Sequence, residues 1–106
     1  MSTSVNNFDS LEKLIYEEGL CIKAIDIHKD MDMILIILNT KTILKRRLSS
    51  YKRLKKASLA QLSKYKLVGK GTGIHWSELD EDLSLKGFLK EEIRLSVGGT
   101  QKAIAA

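Results

Sequence analysis

Two hydrophobic rhythms, one near 3.6 residues and one of two, divide the chain into segments. Leu11, Leu14 and Ile15 follow Asp9 and Glu12, a capping-box pair, and predict a helix over residues 10–18. Gly19 stands where a glycine closes a helix, because it takes the left-handed conformation cheaply. Residues 20–28, rich in isoleucine and partly alternating, read as a strand, and residues 29–32 as a turn. The run Met33–Leu38 is apolar at every position, which suits a strand covered on both faces. Asn39, Thr40 and Lys41 then make a hairpin connection to a third strand over residues 42–48. In that strand Ile43 and Leu44 face opposite ways, and the pattern leaves open which is buried.

Ser49 or Ser50 is placed to cap a helix ahead of Tyr51 and Leu54, and Ser58 with Gln61 repeats the capping box ahead of Leu59 and Leu62. Either one helix spans residues 50–65 or two short ones meet near Ala57. Residues 66–68 read as strand, Gly69, Gly71 and Gly73 as a turn or bulge, and residues 74–76 as a closing strand. Ser84 is positioned to cap a last helix over residues 85–93. These elements predict an α+β fold, a small single domain in which a mixed or antiparallel sheet carries helices packed on one side. Residues 1–19 read as an N-terminal extension with a short helix, its first seven residues loose, residues 20–95 as the domain, and residues 96–106 as a mobile tail.

A chain of 106 residues has room for one core, so any partner must use the surface of this domain. Its hydrophobic fraction of 43% argues against wholesale disorder. The longest apolar run is far short of the roughly 20 residues that span a bilayer, and no secretory leader is visible, so the sequence predicts a soluble cytoplasmic protein. Cys21, the single cysteine, cannot form an internal disulfide and reads as core. Charge changes the picture most. Residues 33–77 hold 11 Lys or Arg and no acidic residue, whereas the remainder carries a balance of −6.

Within that segment Arg46, Arg47, Lys52, Arg53, Lys55 and Lys56 lie close together, followed by Lys64, Lys66 and Lys70. Such a cluster suits an acidic protein partner or, alternatively, nucleic acid, where neutralised phosphates release counterions; it is equally the pattern of a solvated face. Tyr51 and Tyr65 flank the cluster and have the chemistry to stack on bases, although tyrosines at this spacing more often pack half-buried. Asp80, Glu81 and Asp82, with His75 nearby, have the residue types of a metal-assisted hydrolase. Adjacent carboxylates diverge, however, and turn and cap duty ahead of Ser84 is the simpler reading. Trp76 reads as core and His75 as a hydrogen-bonded structural histidine on the opposite face.

The glycines of "GKGTG" lack the order of a phosphate-cradling loop. The alternating Asp26, His28, Asp30 and Asp32 lack the glycine and terminal glutamate of a calcium loop, and so read as an exposed turn. No nucleophile motif accompanies the serines and the two histidines. No cofactor, metal or small-molecule substrate is expected.

The stretch "KLVGKGTGIHWSELDEDLSLKGFL", residues 66–89, resembles the hallmark of the domain of unknown function 2442 family, with Gly73, His75, Trp76, Asp80, Glu81 and Asp82 in its motif positions. The preceding "MILIILNTKTILKRRLSSYKRL" is similar to that family's hairpin and tyrosine-bearing helix start, and the resemblance covers about residues 20–90. It departs near Lys52 and at Ser77, where members carry proline, so those turns are expected to be looser. The resemblance implies a compact α+β fold without established catalytic activity. It also implies a setting beside repressor-like helix-turn-helix segments or another small protein, hence a regulatory or toxin–antitoxin role. The combined expectation is a non-enzymatic binding or regulatory module, antitoxin-like, engaging an acidic protein, with nucleic acid as the alternative and hydrolysis as an outsider.

Overall fold

In the computed structural model, which describes residues 9–105 and the side chains of residues 9–97, Asp9 caps α1 (Ser10–Glu12). Its carboxylate accepts the Glu12 amide at 2.8 Å while Glu12 accepts the Asp9 amide at 3.0 Å, the reciprocal pair anticipated from sequence. The helix continues over Lys13–Glu17 with a wider turn, in which the Glu18 amide reaches back five residues to the Lys13 carbonyl at 3.0 Å. Gly19 ends it at φ 77°. The first eight residues, expected to be loose over residues 1–7, lie outside the described residues.

Strands β1 (Ile22–His28), β2 (Met33–Leu38) and β3 (Ile43–Arg46) form an antiparallel sheet in the order β1-β2-β3. A register shift between Ile22 and Ala24 explains the imperfect alternation of β1, because it lets Ile22 and Ile25 both reach the core at an odd spacing. The hairpin between β2 and β3 closes with the Lys41 amide on the Leu38 carbonyl, and Lys41 takes φ 73°. Leu44 is buried and Ile43 is 57% exposed, which settles the facing of β3.

The expectation that both faces of β2 are covered is corrected: Ile34, Ile36 and Leu38 are buried, whereas Met33, Leu35 and Ile37 are only half-buried. Helices lie on one side of this sheet alone, so the second apolar face keeps partial contact with water.

The chain then takes a helical excursion through a 3-10 turn at Leu48–Ser50, α2 (Lys52–Lys55) and α3 (Leu59–Leu62). Two short helices thus meet at buried Ala57, with Ser58 and Gln61 forming the second capping box. Neither Ser49 nor Ser50 caps α2. Ser49 donates instead through its amide and hydroxyl to the Asp32 carboxylate, at 2.8 and 2.6 Å. A charged carboxylate is a strong acceptor for both Ser49 donors.

Strands β4 (Tyr65–Val68), β5 (Gly73–Trp76) and β6 (Glu81–Ser84) form a second antiparallel sheet, so the single sheet expected from sequence is replaced by two. The excursion over residues 48–62 carries β4 away from β3, and β4 pairs with its own hairpin partner. The sheets share one core of both origins, in which Ile25, Ile34 and Leu44 from the first join Ile74 and Trp76 from the second. The Ile22 amide also donates to the Gly71 carbonyl at 2.8 Å, which pins the β4–β5 turn to the start of β1.

Strand β6 corrects the acidic-turn reading of Glu81 and Asp82, which pair with Trp76 and His75 of β5. Only Asp80 remains in the turn, at φ 51°. Ser84 accepts the Gly87 amide at 2.9 Å at the entry to α4 (Leu85–Ala105). This helix runs well past the expected end at residue 93. Gly98 and Gly99 each weaken a helix by about 1 kcal/mol but do not forbid its geometry. Lys86 on its first turn reaches Asp9 at 3.2 Å and Glu12 at 3.1 Å, tying α4 to α1. Among the described residues no helix is long and apolar enough to cross a membrane.

Candidate binding surface

Strand alternation decides the fate of the first basic residue. Because Leu44 faces the core, Arg46 two positions later faces it as well, and Arg46 is only 7% exposed. Each nitrogen of its guanidinium has an acceptor. Nε donates to Glu91 at 3.2 Å, Nη1 to Glu92 at 3.0 Å and to the Lys45 carbonyl at 2.7 Å, and Nη2 to the Phe88 carbonyl at 2.8 Å. A planar fork suits this bracing of β3 against α4 in a way that a lysine would not. Arg46 is therefore removed from the expected docking residues and becomes part of the scaffold.

Tyr51 joins the same cluster. Its hydroxyl donates to Glu91 at 3.1 Å, its ring meets Phe88 edge-on at 6.4 Å, and burial together with the Glu91 charge raises its pKa. Tyr65 packs against Trp76 with ring centroids 6.4 Å apart. Both tyrosines are half-buried and make internal ring contacts, which is the packing role that tyrosines at this spacing more often have.

Two further cations carry carboxylate partners. Arg53 lies against Asp80, bonding its carbonyl and standing 3.4 Å from its carboxylate, and Lys64 reaches Glu78 at 2.8 Å. These pairs link the α2–α3 excursion to the β5–β6 turn across an exposed surface, where such bridges contribute at most about 1 kcal/mol each.

Four predicted residues remain together. Lys52, Lys55 and Lys56 are exposed on one helical turn, spaced three and four apart, and Arg47 is exposed just before it. The Asp32 carboxyl is held below its usual range mainly by the Ser49 hydroxyl bond, with the charges of Arg47 and Lys55 adding a smaller effect. None of the four has a carboxylate within ion-pair distance among the described residues. Beside Arg47 the surface opens into a hollow of about 250 Å³ lined by Met31, Asp32, Met33, Lys45, Arg46 and Arg47.

The remaining motif residues separate by strand geometry. His75 and Asp82 are cross-strand partners, with Nδ1 2.6 Å from Oδ1, so His75 is the hydrogen-bonded histidine expected. Trp76 is fully buried and donates to the Leu62 carbonyl at 3.0 Å. Glu81, next to Asp82, faces the other side with Trp76, and Asp80 lies beyond it beside Arg53. The three carboxylates do not converge, and among the described residues no group of three His, Cys, Asp or Glu side chains could hold a metal. A Cβ at Gly73 would stand 3.2 Å from Cγ2 of the exposed Val68, a tight contact, and 3.4 Å from the Leu83 carbonyl oxygen, an ordinary one. Glu91, Glu92 and Asp32 were missed as partners of the basic segment. The signal that Arg46 needs buried acceptors was present in its shared face with Leu44.

The family described as "Protein of unknown function (DUF2442)" matches residues 22–94. A crystal structure of a protein of unknown function from Rhodospirillum rubrum is similar at 25% identity and TM-score 0.61, covering 69% of this chain and 88% of the other. A solution structure of an uncharacterised protein from Chromobacterium violaceum is similar at 26% identity and TM-score 0.62, covering 85% of each. No curated protein matches the chain. Neither the family description nor the two solved structures carries an activity.

Proposed function

Since this chain belongs to the family described as protein of unknown function (DUF2442), we propose that it is a non-catalytic regulatory module of the cytoplasm, antitoxin-like, that engages an acidic protein partner. The observation that carries this reading is the exposed group Arg47, Lys52, Lys55 and Lys56, with no ion-pair partner among the described residues, bordering a hollow lined by Met31 and Met33. Cations without an ion-pair partner beside the exposed Met31 and the half-buried Met33 suit a protein surface that offers both carboxylates and apolar contacts. Helix α2 has only four residues, or about 6 Å of length, too short to enter a major groove as a reading helix. Both tyrosines are committed to internal packing, which further favours protein over nucleic acid.

Fluorescence anisotropy with labelled poly-glutamate, a duplex DNA and a single-stranded RNA, each at two salt concentrations, tests the reading. Poly-glutamate is expected to bind, to weaken as salt rises, and to be lost in the K52E/K55E/K56E variant. Tighter binding of DNA or RNA through the same lysines transfers the function to nucleic acid. Absence of binding to all three probes at low salt removes the docking role of this patch.

A further inference from the structure

The uncovered face of the first sheet has an arrangement of its own. Along it the side chains fall into rows across the three strands: Ala24, Ile37 and Ile43 form one row, and Asp26, Leu35 and Lys45 the next. The middle strand is apolar in both rows, one outer edge carries Asp26, and the other carries Lys45. Met33, Leu35 and Ile37 are half-buried and Ile43 is exposed, so an apolar stripe on a three-stranded sheet lacks the second layer that such a stripe normally has.

We propose that this face is covered by a second copy of the chain, in a two-fold dimer whose axis runs along β2 between the two sheets. That rotation places each row on its own counterpart and lays β3 over the β1 strand opposite. Leu35 and Ile37 then pack on themselves, Ile43 meets the partner subunit's Ala24, and Lys45 meets the partner subunit's Asp26, twice by symmetry. Sheets packed face to face stand about 10 Å apart, a gap that a lysine opposite an aspartate can bridge. Asp26 contacts His28 of its own chain through Oδ2 at 3.0 Å, and its side chain is 54% exposed, so Oδ1 remains for the lysine. The charge pattern is complementary under this operation because acid and base occupy opposite edges of one row. An acidic partner of another kind would leave Asp26 facing like charge.

The inference uses none of the α2 lysines, since Lys52, Lys55 and Lys56 are outside the two rows, although Met33 and Lys45 also line the hollow beside Arg47. Sedimentation equilibrium of the full chain is expected to give twice the 11.9 kDa of one chain. Lys45→Asp and Asp26→Lys each set like charges opposite one another and are expected to weaken the dimer by at least about tenfold. The double variant D26K/K45D rebuilds both contacts and is expected to restore it. I43E, at a position already exposed, is expected to give a monomer with an unchanged circular dichroism spectrum. A wild-type chain that stays monomeric up to about millimolar concentration overturns the proposal. A dimer indifferent to both charge reversals and to I43E overturns it equally, because the contact must then lie elsewhere.

Discussion

Arg46 shows how far a residue's role depends on its neighbours. In sequence it is one of six cations in a run; in space it is the only one of them held inside, with two carboxylates and two carbonyls around its guanidinium. Removing it leaves the Phe88 carbonyl and the Glu91–Glu92 pair without their shared donor. R46A is expected to lower stability by about 2–4 kcal/mol in urea unfolding. E92Q, which alters a side chain 46% exposed to water, is expected to cost under about 1 kcal/mol. Equal urea midpoints for R46A and wild type would show that the cluster contributes nothing to the fold. The sequence held a clue to this burial, since residues 44 and 46 share one face of a strand, but choosing that face required knowing where the core lies.

At the scale of elements, both capping boxes and the β2–β3 hairpin were legible, whereas the absence of a serine cap on α2 and the pairing of β6 were not. Asp9 with Glu12 and Ser58 with Gln61 act locally, within three residues, so their geometry follows from spacing. Strand β6 was missed because four residues reading Glu-Asp-Leu-Ser have poor strand propensity. They become a strand through pairing with β5, and the His75–Asp82 contact across it is a consequence of that register. Glycines at the turns separate into two kinds. Gly19 and Gly71 both have positive φ, at 77° and 87°, but a Cβ at Gly19 meets nothing within 4 Å, whereas at Gly71 it would stand 2.6 Å from the Ile22 carbonyl oxygen. G19A is therefore expected to cost about 1–2 kcal/mol, the left-handed penalty alone. G71A is expected to cost clearly more, because it also forces apart the bond from Ile22 that joins the β4–β5 turn to β1. Similar losses for the two variants in thermal unfolding would refute that distinction.

For the molecule as a whole, two sheets around one core should unfold as one unit. Trp76 emission reports the second sheet, while far-ultraviolet circular dichroism reports all the backbone, and the two urea transitions are expected to coincide. A separate early transition in either probe would mean that the sheets are independent. The charge asymmetry of the sequence persists in three dimensions only in part: Arg46, Arg53 and Lys64 are matched with carboxylates, and Arg47, Lys52, Lys55 and Lys56 keep the patch. By itself the sequence determined the α+β class, the family, both capping boxes, the β2–β3 hairpin and the burial of Trp76. These depend on periodicity, on bonds between near neighbours and on the cost of exposing a large ring. Only the tertiary structure decided that there are two sheets, that one face of β2 stays uncovered, and which cations find a carboxylate. Each of these outcomes brings together residues separated by tens of positions, and local spacing carries no information about which distant segment a side chain will meet.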